Sequence, residues 1–296
     1  MSGAAVRWLC YAAPLSIIVT MIILGTDEAG YGPNLGPLVV SLTVWEADAE
    51  NLSSLFEPLN KAGIPVGDSK KLYHGGSLVT LETGVLVPMR SMKKDVLPMV
   101  NDAEKITQLV PKFEEILRKH QIRFFDMQHR SVEPEEFNQL LDRFDSKGSL
   151  LSNITLHLIA KRLETLTQGN VLILCDKHGG RNRYLDILTE FFAGEFIQVL
   201  QESRESSVYR IISEGRHWEF RFLAKGETHL PIALASMSSK YHRELAMLRF
   251  NAFWQSHVPN LQPTAGYPED AKRFKRQIAD AQKRLGITDE NFWRKR

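Results

Sequence analysis

Asp27 and Glu28 stand side by side at the end of an apolar run, Ile22-Ile23-Leu24-Gly25-Thr26, and lead into a turn holding Gly30, Gly32 and Gly36. A short apolar run bounded by turn residues predicts a buried strand. Glycines this closely spaced suit backbone with positive φ, or backbone lying against a ligand. Two carboxylates at a buried strand end are costly unless hydrogen-bonded or bound to a cation, so a cation is expected here. A plainer reading has both acids capping the turn and facing water. A dinucleotide-binding loop fits less well. Its glycines run G-x-G-x-x-G, these run G-x-G-x-x-x-G, and no acids belong inside that turn.

Two more acids sit in comparable settings. Val171 to Cys175 is an unbroken apolar run that ends in Asp176. Glu244 lies on a helix expected from Pro231 to Trp254, where Ser236, Lys240 and Glu244 are four residues apart and share one face. The plain alternative for Lys240 and Glu244 is a surface ion pair worth under about 1 kcal/mol. Around these acids lie residues suited to phosphate oxygens. Asp68-Ser69-Lys70-Lys71-Leu72 reads as a capped helix start with adjacent Ser and Lys side chains. Lys177-His178-Gly179-Gly180-Arg181-Asn182-Arg183 follows Asp176. Each could equally be a solvated charge cluster.

The elements that must position these residues form a mixed α/β pattern. The strand carrying Asp27 is followed by a second, Leu38 to Thr43, and by a helical stretch from Glu46 to Leu59. Val79 to Val87 alternates like a strand ending at Pro88, Ala103 to His120 has helical spacing, Ile122 to Phe125 reads as a strand and Glu133 to Phe144 as a helix. An amphipathic helix from Leu150 to Leu166 precedes the Asp176 strand, a βαβ-like grammar with helices on the sheet faces. Val208 to Ile212 and Trp218 to Leu223 form a hairpin turning near Glu214-Gly215. On the long helix, Met237, Tyr241, Leu245 and Leu248 form the packed face. A last basic helix runs from Glu269 to Leu285 and stops at Gly286.

At 296 residues and 43% hydrophobic, the chain can bury one substantial core. Net charge is only +2, so any nucleic-acid surface must be a local patch. Two cysteines, Cys10 and Cys175, make neither a zinc ribbon nor a disulfide framework, which fits a reducing, cytoplasmic setting. Residues 1–20 imitate a signal peptide, with Arg7 before the apolar run Trp8 to Leu24. Pro14, the lack of a small-residue cleavage site and direct continuity with the Asp27 strand count against it. The preferred reading starts the protein at Met21; a membrane anchor is the alternative, the run being barely long enough to span.

Taken together, these motifs resemble ribonuclease HII, the type 2 ribonuclease H family. Its first strand carries Asp-Glu-Ala-Gly-Arg-Gly and then Gly-Pro; here residues 27–32 are Asp-Glu-Ala-Gly-Tyr-Gly, with Gly36-Pro37 beyond. Asp-Ser-Lys-Lys-Leu follows at a similar distance, and Asp176 matches the acid of the family's Val-Asp-Gly strand. Lys225-Gly226-Glu227 resembles its Lys-Gly-Asp loop. Ser236, Lys240 and Arg243 match its Ala-Ser-Ile-Leu-Ala-Lys-Val-Thr-Arg-Asp helix, with Glu244 where the fourth acid is expected. Gly266-Tyr267 falls where Gly-Tyr-Gly normally sits, with Pro268 in place of the last glycine.

The resemblance implies a ribonuclease H-like fold, a central mixed sheet flanked by helices. The catalytic domain would span 21–255 with an insertion at about 73–148, followed by a basic C-terminal helical segment at 256–296. It also implies a monomer cutting the RNA strand of RNA–DNA hybrids, 5′ of ribonucleotides, to leave 3′-hydroxyl and 5′-phosphate ends. The implied role is removal of RNA primers or ribonucleotides from DNA. The ligands of two Mg²⁺ or Mn²⁺ ions would be Asp27, Glu28, Asp176 and Glu244, an oxygen-only set. Substrate contacts would come from Gly30, Tyr31, Gly32, Ser69, Lys70, Lys71, Arg181, Ser236, Lys240 and Tyr267. Tyr31 stands where the family has an arginine that helps read the ribose 2′-hydroxyl, and it cannot supply a guanidinium fork.

Overall fold

The structure is a computed structural model that describes residues 20–48, 52–73, 76–94, 96–144, 146–166, 169–213 and 215–295. Residues 1–19, with Cys10 and much of the expected extension, lie outside the described residues, as does Glu214 of the hairpin turn.

Strands β1 (Met21–Ala29) and β2 (Leu38–Ala47) form an antiparallel pair around the glycine turn. Four short or medium helices follow: α1 (Phe56–Lys61), α2 (Ser69–Leu72), α3 (Val79–Ser91) and α4 (Ala103–Lys119). Next come β3 (Arg123–Val132), α5 (Pro134–Leu141), α6 (Lys147–Leu163) and β4 (Asn170–Asp176). Helix α7 (Leu185–Phe191) leads into β5 (Phe196–Glu202), β6 (Ser206–Ser213) and β7 (Arg216–Leu223). The chain closes with α8 (Leu230–His257), α9 (Pro268–Leu285) and α10 (Asp289–Phe292).

The seven strands among the described residues join one mixed sheet in the order β3-β2-β1-β4-β7-β6-β5. Its centre, β1-β4-β7, is parallel, and the outer pairs are antiparallel. Central parallel strands are covered on both faces, which explains the unbroken apolar runs of β1 and β4. Ile23, Leu172 and Leu174 point to the face under α3, α4 and the start of α8. Ile22, Leu24, Ile173 and Cys175 point to the other, under α6 and α7. This is the mixed sheet flanked by helices that the sequence implied. Among the described residues no helix is long and apolar enough to cross a membrane.

Several expected elements differ. Val79 to Val87 is helical, not extended, and Pro88 lies inside α3 rather than ending a strand. Every residue from Leu81 to Met89 is buried, so the apolar pattern fits a period of two as well as 3.6. The expected helix from Glu46 to Leu59 splits: β2 keeps Glu46 and Ala47, a 3-10 turn spans Leu52–Leu55, and α1 begins only at Phe56. Leu248 is 52% exposed and does not belong to the packed face of α8. Within 73–148, β3 pairs along β2 and α3 and α4 cover one sheet face, so this stretch is part of the core. Helix α9 packs Phe274 and Ile278 on Trp254, and ends at Gly286 with φ +66°.

The tightest joint in the fold is between β1 and α8. A Cβ on Gly25 would lie 2.3 Å from the carbonyl carbon of Pro231, a distance only glycine avoids. Gly25→Ala must push α8 off the sheet, at a cost of about 1–3 kcal/mol. Urea unfolding should show a lower midpoint with an unchanged m-value; a midpoint equal to wild type would contradict this packing.

Candidate active site

The last registered pair between parallel β1 and β4 is Thr26 with Cys175, so Asp27 and Asp176 come next on neighbouring strands. Alternation puts both on the face that α8 covers. They lie at the carboxyl ends of the parallel strands, where open α/β sheets bind ligands. Strand β7 ends beside them and turns through Lys225, at φ 60°, into a 3-10 turn, Gly226–Thr228. The N–H of Gly226 donates to Asp176 Oδ1 at 3.0 Å. A Cβ on Gly226 would meet Ile232 at 2.7 Å and Asp176 Oδ1 at 3.1 Å, so this close approach requires glycine.

A cleft of about 350 Å³ opens above these strand ends. Asp27, Glu28 and Asp176 line it, with Gly30, Tyr31 and Gly32 from the turn, Ser69 and Lys70 from α2, Ser236 and Lys240 from α8, and Tyr267. Ser69 and Ser236 hydroxyls are 3.0 Å apart, tying α2 to α8. Gly30 and Gly36 have positive φ, of 90° and 78°. Gly32 has open space where a Cβ would be. Asp68 caps α2 by accepting from Lys70 N–H at 2.9 Å.

Glu244, expected as the fourth acid, does not line the cleft. Its carboxylate accepts from Lys240 Nζ at 2.6 Å, Arg243 Nη1 at 3.1 Å and Tyr73 Oη at 3.0 Å. Those three donors neutralise and occupy it, so the pair with Lys240 is no surface ion pair either. Glu227 lines the cleft instead, brought there by the Gly226 turn, and it bears electrostatically on Asp176. The available signal was its place after Lys225-Gly226, directly beyond a strand. Arg243 lines the cleft too.

Two other expected contacts sit elsewhere. Lys71 is not on the cleft wall; its side chain is 85% exposed and lies 3.9 Å from Asp68. Arg181 donates to Ser149 Oγ at 2.7 Å and sits over the Tyr184 ring, and its charge bears on Tyr31. The Tyr31 hydroxyl rests on Gly179, where a Cβ would come within 2.4 Å of it. Lys177 is an anchor, donating to Asn182 Oδ1, Ser203 O and Ser207 Oγ.

The electrostatics of the strand ends are unfavourable as they stand. Burial, then the charge of Asp176, pushes the Asp27 carboxyl up to about 7, although Ser236 and the Glu28 N–H hydrogen-bond to it. Burial, then Asp27 and Asp176, pushes Glu28 well above the ordinary carboxylate range. Burial also raises Asp176, against the Gly226 hydrogen bond. Neither Asp27 nor Glu28 is in an ion pair among the described residues. Oxygen donors that repel each other this way fit a divalent cation. Among the described residues, however, no three His, Cys, Asp or Glu side chains are already gathered closely enough to grip an ion.

No protein-family model matches the chain, and no curated protein matches it. Among solved structures, its fold is similar to ribonuclease HII of Archaeoglobus fulgidus, solved in complex with PCNA, at 18% identity and TM-score 0.47, covering 93% of this chain and 95% of that one. It is similar to ribonuclease H2 of Pyrococcus horikoshii, at 18% identity and TM-score 0.48, covering 92% of each chain. A Bst ribonuclease HIII in complex with Mn²⁺ gives 17% identity and TM-score 0.42, over 98% of this chain and 72% of that one. At such identities the likeness concerns the chain path alone.

The raised carboxyl of Asp27 has a consequence for stability. Its folded value of about 7 exceeds its ordinary 3.8, so between those pH values the folded state holds more protons than the unfolded. Stability therefore falls as pH rises from about 4 to 7, and the penalty is complete above that. Without divalent cations, Asp27→Asn should raise Tm at pH 8, by roughly 2–4 °C per kcal/mol of repulsion relieved. The gain should shrink toward pH 4. A variant melting no higher than wild type at pH 8 would refute the repulsion.

Proposed function

We propose that this chain is a divergent type 2 ribonuclease H that hydrolyses the RNA strand of RNA–DNA hybrids with divalent-cation assistance. The observation that carries this reading is the convergence of Asp27, Glu28, Asp176 and Glu227 on one cleft that Lys70, Lys240 and Arg243 also line. The motif resemblance from Asp27 to Tyr267 supports it. A pure binding module gains nothing from keeping mutually repelling carboxylates at buried strand ends.

The four acids would hold Mg²⁺ or Mn²⁺, and Glu244 would serve behind them by fixing Lys240 and Arg243. When bound, such ions supply Lewis-acid polarisation of the phosphodiester and a more acidic water. The chain's own groups do the rest. Lys70 and Lys240 offer ammonium charge to non-bridging phosphate oxygens beside the acids. Lys240 is held for this by Glu244 below and by the Tyr73 ring, 4.4 Å away. Ser69 and Ser236 offer hydroxyls from adjoining helix turns, and Tyr267, 55% exposed, offers a face to the ribose or base at the rim. The Tyr31 side chain, packed on Gly179, closes the outer wall of the cleft without contributing a charge. That favours continuous hybrid over a single ribonucleotide embedded in DNA, where each sugar contact matters more. Cleavage 5′ of ribonucleotides, with 3′-hydroxyl and 5′-phosphate ends, and a role in clearing RNA from DNA follow from the family resemblance.

The test uses two labelled duplexes, a full RNA–DNA hybrid and DNA with one embedded ribonucleotide, with Mg²⁺, Mn²⁺ or chelator. The hybrid should be cut only with metal, and the single-ribonucleotide duplex more slowly. Asp27→Asn and Asp176→Asn should each lose at least about 100-fold in turnover, as removal of a preorganised charge does, while hybrid binding persists. Unchanged cleavage in either variant, or cleavage of neither duplex by wild type, would sink the proposal.

A further inference from the structure

A buried guanidinium lies behind the glycine turn. Arg294, in the extended segment after α10, is 0% exposed. Its Nη1 donates to the carbonyl of Gly30 at 2.5 Å and reaches that of Gly36 at 3.5 Å; its Nη2 donates to the carbonyl of Tyr31 at 3.0 Å. The guanidinium stacks on Phe137 of α5, 4.0 Å from the ring centre. Its backbone is tied down as well. Arg294 N–H donates to Asn34 O, the Asn34 side chain donates back to Arg294 O, and Trp293 bridges to Leu35. From α5, Asn138 donates to Trp293 O at 2.9 Å and accepts from Lys295 N–H at 2.7 Å.

Peptide planarity gives this grip a direction. In a trans peptide the carbonyl and the following N–H point opposite ways. Holding the Gly30 and Tyr31 carbonyls inward on Arg294 therefore turns the N–H groups of Tyr31 and Gly32 outward, to the cleft that both residues line. Neither N–H has an acceptor among the described residues. Gly32 leaves the approach open. Glu28 stands three residues before the first of these donors and lines the same cleft, so an anionic group there would add to the repulsion among the acids. A neutral hydroxyl oxygen is the better guest.

Resting on the function proposed above, and on the family resemblance that assigns the Gly30-Tyr31-Gly32 turn to the ribose 2′-hydroxyl, we propose that Arg294 is a positioning residue for that turn: its fork sets the two peptide planes from behind, so that the N–H groups of Tyr31 and Gly32 face the sugar. The fork is essential to the role, because one guanidinium reaches both carbonyls and a lysine ammonium on its flexible stem does not hold two planes at once.

The test is fluorescence anisotropy, in chelator, with an RNA–DNA hybrid and an all-DNA duplex of the same sequence. Wild type should favour the hybrid. Arg294→Lys should weaken hybrid binding about tenfold, the worth of one or two aimed hydrogen bonds, and leave DNA binding unchanged. Asn138→Ala, which loosens the strap without touching the turn, should do the same to a smaller degree. A merely structural role would lower both affinities together. Equal loss on both duplexes, or no loss, in a variant that melts like wild type would overturn the proposal. If Arg294→Lys does not fold, Asn138→Ala decides alone by the same criterion. Wild type binding both duplexes equally would overturn the ribonuclease reading, and this proposal with it.

Discussion

Asp27 and Asp176 end adjacent parallel strands on the same face, and neither can move away without breaking the sheet that carries it. Strands in a parallel pair lie about 5 Å apart, so the two carboxylates repel in surroundings that give them little water. Much of the surrounding structure answers to that constraint. Gly226 brings its N–H to Asp176, Ser236 hydrogen-bonds to Asp27, and Lys70 bears on Asp176 from α2. What these groups leave uncompensated is negative charge, which the proposed function assigns to a divalent cation.

The same helix that covers the acids also supplies the cleft's charged wall. Gly25 allows α8 to lie directly on β1, and this brings Ser236, Lys240 and Arg243 over the strand ends. Helix α8 is also tied to the sheet by hydroxyls: Ser239 donates to Asp27 O at 2.9 Å, and Ser238 shares a 3.0 Å hydrogen bond with Ser41. On the far side, Glu82 of α3 accepts from Tyr241 of α8 and from the N–H groups of Met99, Val100 and Asn101. Helices within 73–148 therefore help fix α8, and through it the cleft. Helix α9 contributes less free charge than its composition suggests, because Lys272, Arg273 and Lys275 pair with Glu269, Asp270 and Asp289.

Where the sequence was informative, one local pattern carried the message. Asp27, Glu28 and Asp176 follow apolar strands, and the end of a buried strand places a side chain without knowledge of its neighbours. The mixed sheet was legible for the same reason. Glu244 shows the limit. Helical spacing puts it on the face of Lys240, but spacing does not reveal that Tyr73, distant in sequence, would complete its hydrogen bonds. Val79 to Val87 reads as a strand because a helix buried on every side has no preferred period. Strand β5 and helix α7 gave little signal, and most of β5 is exposed at the sheet edge. Arg294 could not be read at all. A lone arginine near a chain end has no pattern, and its partners lie about 260 positions earlier.

On the proposed function, Asp27, Glu28, Asp176 and Glu227, rather than Glu244, form the cation-binding set. Titration of Mn²⁺ into the metal-free protein, followed by calorimetry, tests this without any turnover assay. Glu227→Gln should weaken Mn²⁺ binding by about tenfold or more, whereas Glu244→Gln should change it much less, because its carboxylate already belongs to Lys240, Arg243 and Tyr73. The reverse order, or an affinity untouched by Glu227→Gln, would contradict the assignment.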